Sequence, residues 1–80
     1  MTLQTLKHIF ASILAIPEET ISNDLSPENT PAWDSLNAII LITEIEKAFA
    51  IKFDYDEAMA VRNFGDAIAL IESKGFHLHD

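Results

Sequence analysis

All three prolines of this 80-residue chain fall within one stretch, "PEETISNDLSPENTPAW", from Pro17 to Trp33. Proline removes a backbone donor and pushes the residue before it out of the helical region, so no regular helix can run through such a segment. The Ser, Asn and Asp residues between the prolines favour local turns. The stretch reads as a long loop, and regular structure must lie on either side of it. Loops of this length are uncommon in compact domains and often carry function. Ile21 and Leu25 are the apolar residues able to anchor it on a core.

Before the loop, Leu3, Leu6, Phe10, Ile13 and Leu14 recur at helical spacing, with Ile9 beside them. Thr2 can cap this helix, and Pro17 is expected to close it. After the loop, a second helix is predicted from about Ser35 to about Ala50, with Asp34 as N-cap. Asp54 followed three residues later by Glu57 has the pattern of a capping box and predicts a short third helix near Tyr55–Val61. Asn63 can cap a last helix that puts Phe64, Ile68 and Ile71 on one face and ends at Gly75. No segment alternates convincingly as a strand; "IKF" at Ile51–Phe53 does so over only three residues. The expected fold is all-α, a small four-helix bundle of three main helices and a short third one, with residues 1–80 as a single domain.

Charge and composition bound the function. Thirteen acidic against five basic residues give a net charge of −8, which should repel nucleic acid and anionic membranes. The chain has no cysteine, so disulfide and thiolate chemistry is excluded and a cytoplasmic setting fits. The opening "MTLQTLKHIFASILAI" lacks the charged and continuously apolar regions of a signal peptide. No apolar run has the length of a membrane span. His77, His79 and Asp80 at the C-terminus suit a frayed tail better than a metal site, and Asp54, Asp56 and Glu57 lack the ligand series and glycine of a calcium loop. No metal centre is expected.

The second helix carries apolar residues on both sides. At about 100° per residue, Ala38, Leu41, Ile42, Ile45 and Phe49 cluster toward the core. The opposite side carries Leu36, Ile40, Thr43 and Lys47, with Ile39 at its border and Glu44 on the other flank. Leu36, Ile39 and Ile40 form a candidate docking strip, unless the long loop covers them. Ser35 stands at the start of this helix. No G-x-S-x-G turn surrounds it and His8, His77 and His79 form no triad pattern, so a catalytic serine is not expected. A serine modified by another enzyme fits better, because an anion there would lie at the positive end of the helix dipole.

Asp34–Ser35–Leu36 resembles the D-S-L phosphopantetheine attachment motif of acyl carrier proteins, here preceded by Trp33. The likeness extends over the long loop, "IEKAF", "IKFDYDEA" and "NFGDAIALIE". It implies that Ser35 bears a covalent 4′-phosphopantetheine from coenzyme A, whose thiol holds an acyl or aminoacyl group as a thioester. Asp34 and Leu36 would be read by a phosphopantetheinyl transferase, and Leu36, Ile39, Ile40, Thr43 and Lys47 would face partners. These partners would be a loading enzyme and downstream acyl-transferring or modifying enzymes. The carrier itself would be a monomer and not an enzyme. Part of an acyl chain could enter the bundle near Ile42, Phe49, Val61 and Ile68.

The sequence departs from fatty-acid carriers, which typically show "GADSL" and an acid-rich second helix. Trp33 precedes the motif, Asn37 and Ile40 stand where acids are usual, and Lys47 adds a base. That pattern points to a specialised carrier in secondary metabolism, envelope modification or aminoacyl transfer. Two other readings stand beside it: an unmodified helical interaction module anchored by Leu36 and Ile40, and a small hydrolase using Ser35, which would need a base the sequence does not supply.

Overall fold

The computed structural model describes residues 3–78 and contains four α-helices and one turn of 3-10 helix among them. The helices are α1 (Leu3–Leu14), α2 (Ser35–Phe49), α3 (Tyr55–Met59) and α4 (Phe64–Ser73), and the 3-10 turn is Glu18–Thr20. The all-helical bundle expected from the sequence is the fold observed. Thr2, His79 and Asp80 lie outside the described residues.

The apolar stripes meet in one core. Leu6, Phe10 and Leu14 of α1, four residues apart, are buried with Leu41, Ile45 and Phe49 of α2 and Phe64, Ala67 and Ile71 of α4. Phe10 is the hub. Its ring meets Trp33 edge-on at 5.3 Å and Phe64 at 4.9 Å, both in the T-shaped geometry that suits the ring quadrupoles. A second edge-on pair, Phe49 and Phe76, closes the other end of α2 at 5.5 Å.

Two helix limits differ from expectation. α1 stops at Leu14 rather than at Pro17, because Ala15 turns left-handed at φ 56° and Ile16 N–H returns to the Ala11 carbonyl. α2 ends the same way, with Ala50 at φ 54° and Ile51 N–H on the Glu46 carbonyl. This is the Schellman ending, usually built on glycine; an alanine there bears a Cβ penalty of about 1–2 kcal/mol. α3 is shorter than the expected Tyr55–Val61. Past Met59 the chain turns, with Val61 N–H on the Ala58 carbonyl and Arg62 N–H on Asp66 Oδ2, to enter α4.

The long loop is fastened to the start of α4. Phe64 N–H donates to the Leu25 carbonyl and Gly65 N–H to the Asn23 carbonyl, while Asn63 Oδ1 takes Asp66 N–H at 2.7 Å. The free donors of the first turn of α4 thus find partners in the loop and the cap. A Cβ at Gly65 would come within 3.3 Å of Asn23 Cβ, a tight contact that would push loop and helix apart by a few tenths of an ångström. Ile21 and Leu25 are buried, as their role as anchors demands.

α3 is too short to stand alone and is tied at its start. Asp54 Oδ1 accepts Glu57 N–H and Glu57 Oε1 accepts Asp54 N–H, completing the capping box. Lys74 Nζ then donates to both Glu57 oxygens, at 2.9 and 2.8 Å. The hydrogen bond from Lys74, and next the one from Asp54 N–H, hold the Glu57 carboxyl below its ordinary value of 4.5. A depressed acid contributes stability above its unfolded pKa and loses it as pH falls through the lower, folded one. Amide protection across α3, corrected for the intrinsic slowing of exchange in acid, is therefore expected to fall as pH drops below 4.5. In Lys74→Ala, α3 should already be looser at neutral pH and respond less to acid. An acid response identical in both proteins would show that this ion pair does not hold α3.

Candidate functional site

Ser35 is the first residue of α2 and is exposed. Asp34 before it takes extended backbone angles, φ −102° and ψ −175°, and its Oδ1 accepts Asn37 N–H at 2.9 Å. Its carbonyl accepts Ala38 N–H at 2.8 Å. The N-cap read from the sequence is therefore formed, and the Asp34 carboxylate is turned onto the helix end. The side chain of Asn37 reaches back as well, its Nδ2 donating to the Ala32 carbonyl at 2.7 Å.

A hollow of about 340 Å³ opens beside Ser35, walled by Pro27, Trp33, Asp34, Ala38 and Val61. Its one ionisable side chain is Asp34, already engaged as the cap. His8 of α1 lies 3.4 Å from Glu18 of the 3-10 turn, and Gln4 also bonds Glu18, so neither this histidine nor this amide serves Ser35. Trp33, Ala38 and Val61 also border a smaller cavity of about 30 Å³ between α2 and α3. That volume is about one water's share of the liquid.

Of the residues considered for an acyl-chain site, Ile42 and Val61 line the small cavity, and Phe49 and Ile68 do not. Phe49 is 2% exposed and held edge-on against Phe76, one turn of α2 beyond Ile45, and Ile68 packs on the core from α4. Trp33 and Phe10 close the cavity in their place.

The outer face of α2 is uncovered. Leu36 and Ile39 are each 66% exposed and Ile40 is 38% exposed, so the loop does not lie over them. Ile39, placed at the border by helical spacing, is fully on the outer face. Thr43 is exposed, its hydroxyl bonded to the Ile39 carbonyl, and Lys47 pairs with Glu44 at 3.4 Å. The large apolar residues exposed among the described residues all belong to α2 and α3: Leu36, Ile39, Ile40, Tyr55 and Met59.

Sequence reasoning missed two residues here. Trp33 is 5% exposed and part of the core, a position no periodicity could assign inside an irregular loop. Asn37 is a donor to the loop, where comparison of motifs marks only a missing acid.

Residues 4–71 match the family described as "phosphopantetheine attachment site", and the chain belongs to that family of carriers. Acyl carrier protein 3 of Ralstonia nicotianae is 35% identical over 71 residues, which span 89% of this chain and 82% of the relative. An acyl carrier protein of Prochlorococcus marinus is 29% identical over 72 residues, 90% of each chain. The solution structure of the holo acyl carrier protein of Geobacter metallireducens superposes with a TM-score of 0.79 at 28% identity, covering 99% of this chain and 98% of that one. The protein is an acyl carrier protein with a covalently attached 4′-phosphopantetheine. No helix among the described residues is long and apolar enough to cross a membrane.

Proposed function

We propose that Ser35 bears the phosphopantetheine arm and that the chain delivers an acyl or aminoacyl thioester to partner enzymes in a specialised pathway. The observation that carries this reading is an exposed hydroxyl at the capped mouth of a 15-residue helix, beside an open hollow. Once attached, the arm supplies the thiol on which cargo is held. The protein's part is to present it. A phosphodiester on Ser35 Oγ, replacing the hydroxyl proton, sits where the α2 dipole favours negative charge by about 0.3–1 kcal/mol. Asp34, turned onto the first-turn N–H, works against that charge, so the attaching enzyme and not the helix drives the modification. In this reading the chain is a monomeric, cytoplasmic, single-domain carrier, and the chemistry on the thioester belongs to its partner enzymes.

Asp34 and Leu36 are the residues a phosphopantetheinyl transferase reads. Leu36, Ile39, Ile40, Thr43 and Lys47 make the docking face for loading and downstream enzymes. The Lys47–Glu44 pair and the absence of acids at Asn37 and Ile40 leave this face apolar rather than negative. The small cavity cannot take a long chain unless α2 and α3 part.

Incubation with coenzyme A and a transferase, followed by intact-mass and peptide analysis, is expected to place one phosphopantetheine on the peptide holding Ser35. A chain that stays unmodified would overturn the assignment and favour the interaction-module reading, to which the uncovered Leu36 and Ile39 also speak. Docking has its own check. Ile39→Asp, at a 66% exposed position, should lower the transferase kcat/KM about tenfold without lowering Tm. Raising salt should weaken wild-type docking only slightly, because apolar contact is not screened. A steep loss with salt would instead mean that charge steers the encounter.

A further inference from the structure

We propose that Asn37 is a positioning residue for the modification of Ser35: its side-chain amide clamps the incoming loop and fixes how the hydroxyl is presented. This rests on the assignment of the arm to Ser35 made above.

Two bonds, both donated by Asn37 to residues before the serine, enclose it. Asp34 Oδ1 accepts Asn37 N–H at 2.9 Å. Asn37 Nδ2 donates to the Ala32 carbonyl at 2.7 Å, in a partly buried setting where water competes less. The segment between is also held from the loop side. Trp33 is buried against Phe10, and its N–H donates to the Thr30 carbonyl at 2.9 Å. Thr30, itself buried, donates its hydroxyl to Asn29 Oδ1, and Asn29 Nδ2 donates to the Asp24 carbonyl. Loop order thus runs from Asp24 to Ala32 and reaches α2 through the Asn37 amide.

The chemistry of position 37 follows. A carboxylate there has no N–H and would set its charge against the Ala32 carbonyl oxygen. An alanine leaves that carbonyl to water. Neither change touches the cap, which uses the backbone N–H of residue 37, or the core. The effect therefore falls on the loop. If the presenting arrangement becomes one of several, a transferase binds only the competent fraction, and apparent affinity drops by that fraction while the step after binding is unchanged.

The test measures arm attachment with coenzyme A and a phosphopantetheinyl transferase for the wild-type chain and Asn37→Ala. KM for the carrier should rise about three- to tenfold in Asn37→Ala, with kcat within about twofold, the size expected from one net hydrogen bond; Asn37→Asp, which puts back the acid usual in carriers, is read by loop exchange alone. Hydrogen exchange by mass spectrometry should rise in the peptide spanning residues 30–36 of both variants and stay unchanged in α1 and α4. Unchanged kinetics in Asn37→Ala, beside a wild type that is modified normally, would overturn this proposal alone. So would a higher KM without faster exchange in the loop, since Asn37 would then be touching the transferase itself. A wild type that accepts no arm would overturn the Ser35 assignment, and this proposal with it.

Discussion

Ser35→Ala is expected to leave the chain folded and wholly unable to accept phosphopantetheine. The side chain is exposed at the first position of α2, and the helix start is held by Asp34 rather than by Ser35. Alanine is the best helix former, and exposed substitutions of this kind usually change stability by less than about 0.5 kcal/mol. The circular dichroism spectrum and the urea midpoint should match the wild type. The mass after treatment with coenzyme A and transferase should not move, whereas the wild type should gain one arm. The effect is all-or-none because the oxygen itself becomes part of the phosphodiester. A variant that still gained the mass would put the arm on another hydroxyl and end the Ser35 assignment.

Phe10→Ala should produce the largest loss of stability. The ring is 1% exposed and contacts both Trp33 and Phe64 edge-on. Truncating a buried phenylalanine to alanine costs about 3–5 kcal/mol, through lost transfer energy and the cavity left behind. A domain of this size has only about 4–12 kcal/mol in total. Much of the population should unfold under mild denaturant, and the remainder should accept the arm slowly, because Trp33 loses its platform two residues before Ser35. Phe10→Leu, which keeps most of the apolar volume, should recover the larger part of the urea midpoint. A loss below about 1 kcal/mol in Phe10→Ala would show that the core is centred elsewhere.

How much of this was legible before the structure follows from the kind of signal each residue carries. Asp34, the Asp54–Glu57 pair and Asn63 all cap as their types and spacing predict, because a side-chain oxygen placed before a helix has few other local uses. Gly75, at φ 102°, ends α4 for the backbone reason that makes glycine readable. Ala15 and Ala50 do the same work with no such signature, which is why Pro17 stood out as the apparent terminator of α1. The outward placement of Leu36 and Ile40 is a matter of helical arithmetic. That Ile39 is more exposed than Ile40 is set by packing around the helix, which periodicity within α2 cannot encode. The walls of the small cavity come from four separate segments, one of them the loop, so no single helix pattern reveals its lining. Asn37 shows the reverse case. Its side chain is plain in the sequence, but its partner is a backbone carbonyl, which every residue possesses.

Trp33 gives the molecule an optical reporter of its own. It is the chain's one tryptophan, sealed against Phe10 yet forming a wall of the hollow beside Ser35. Its emission wavelength and its access to a dissolved quencher record the polarity of that wall. Loosening of the segment before α2, or an arm laid into the hollow, would register as a spectral change with no label attached.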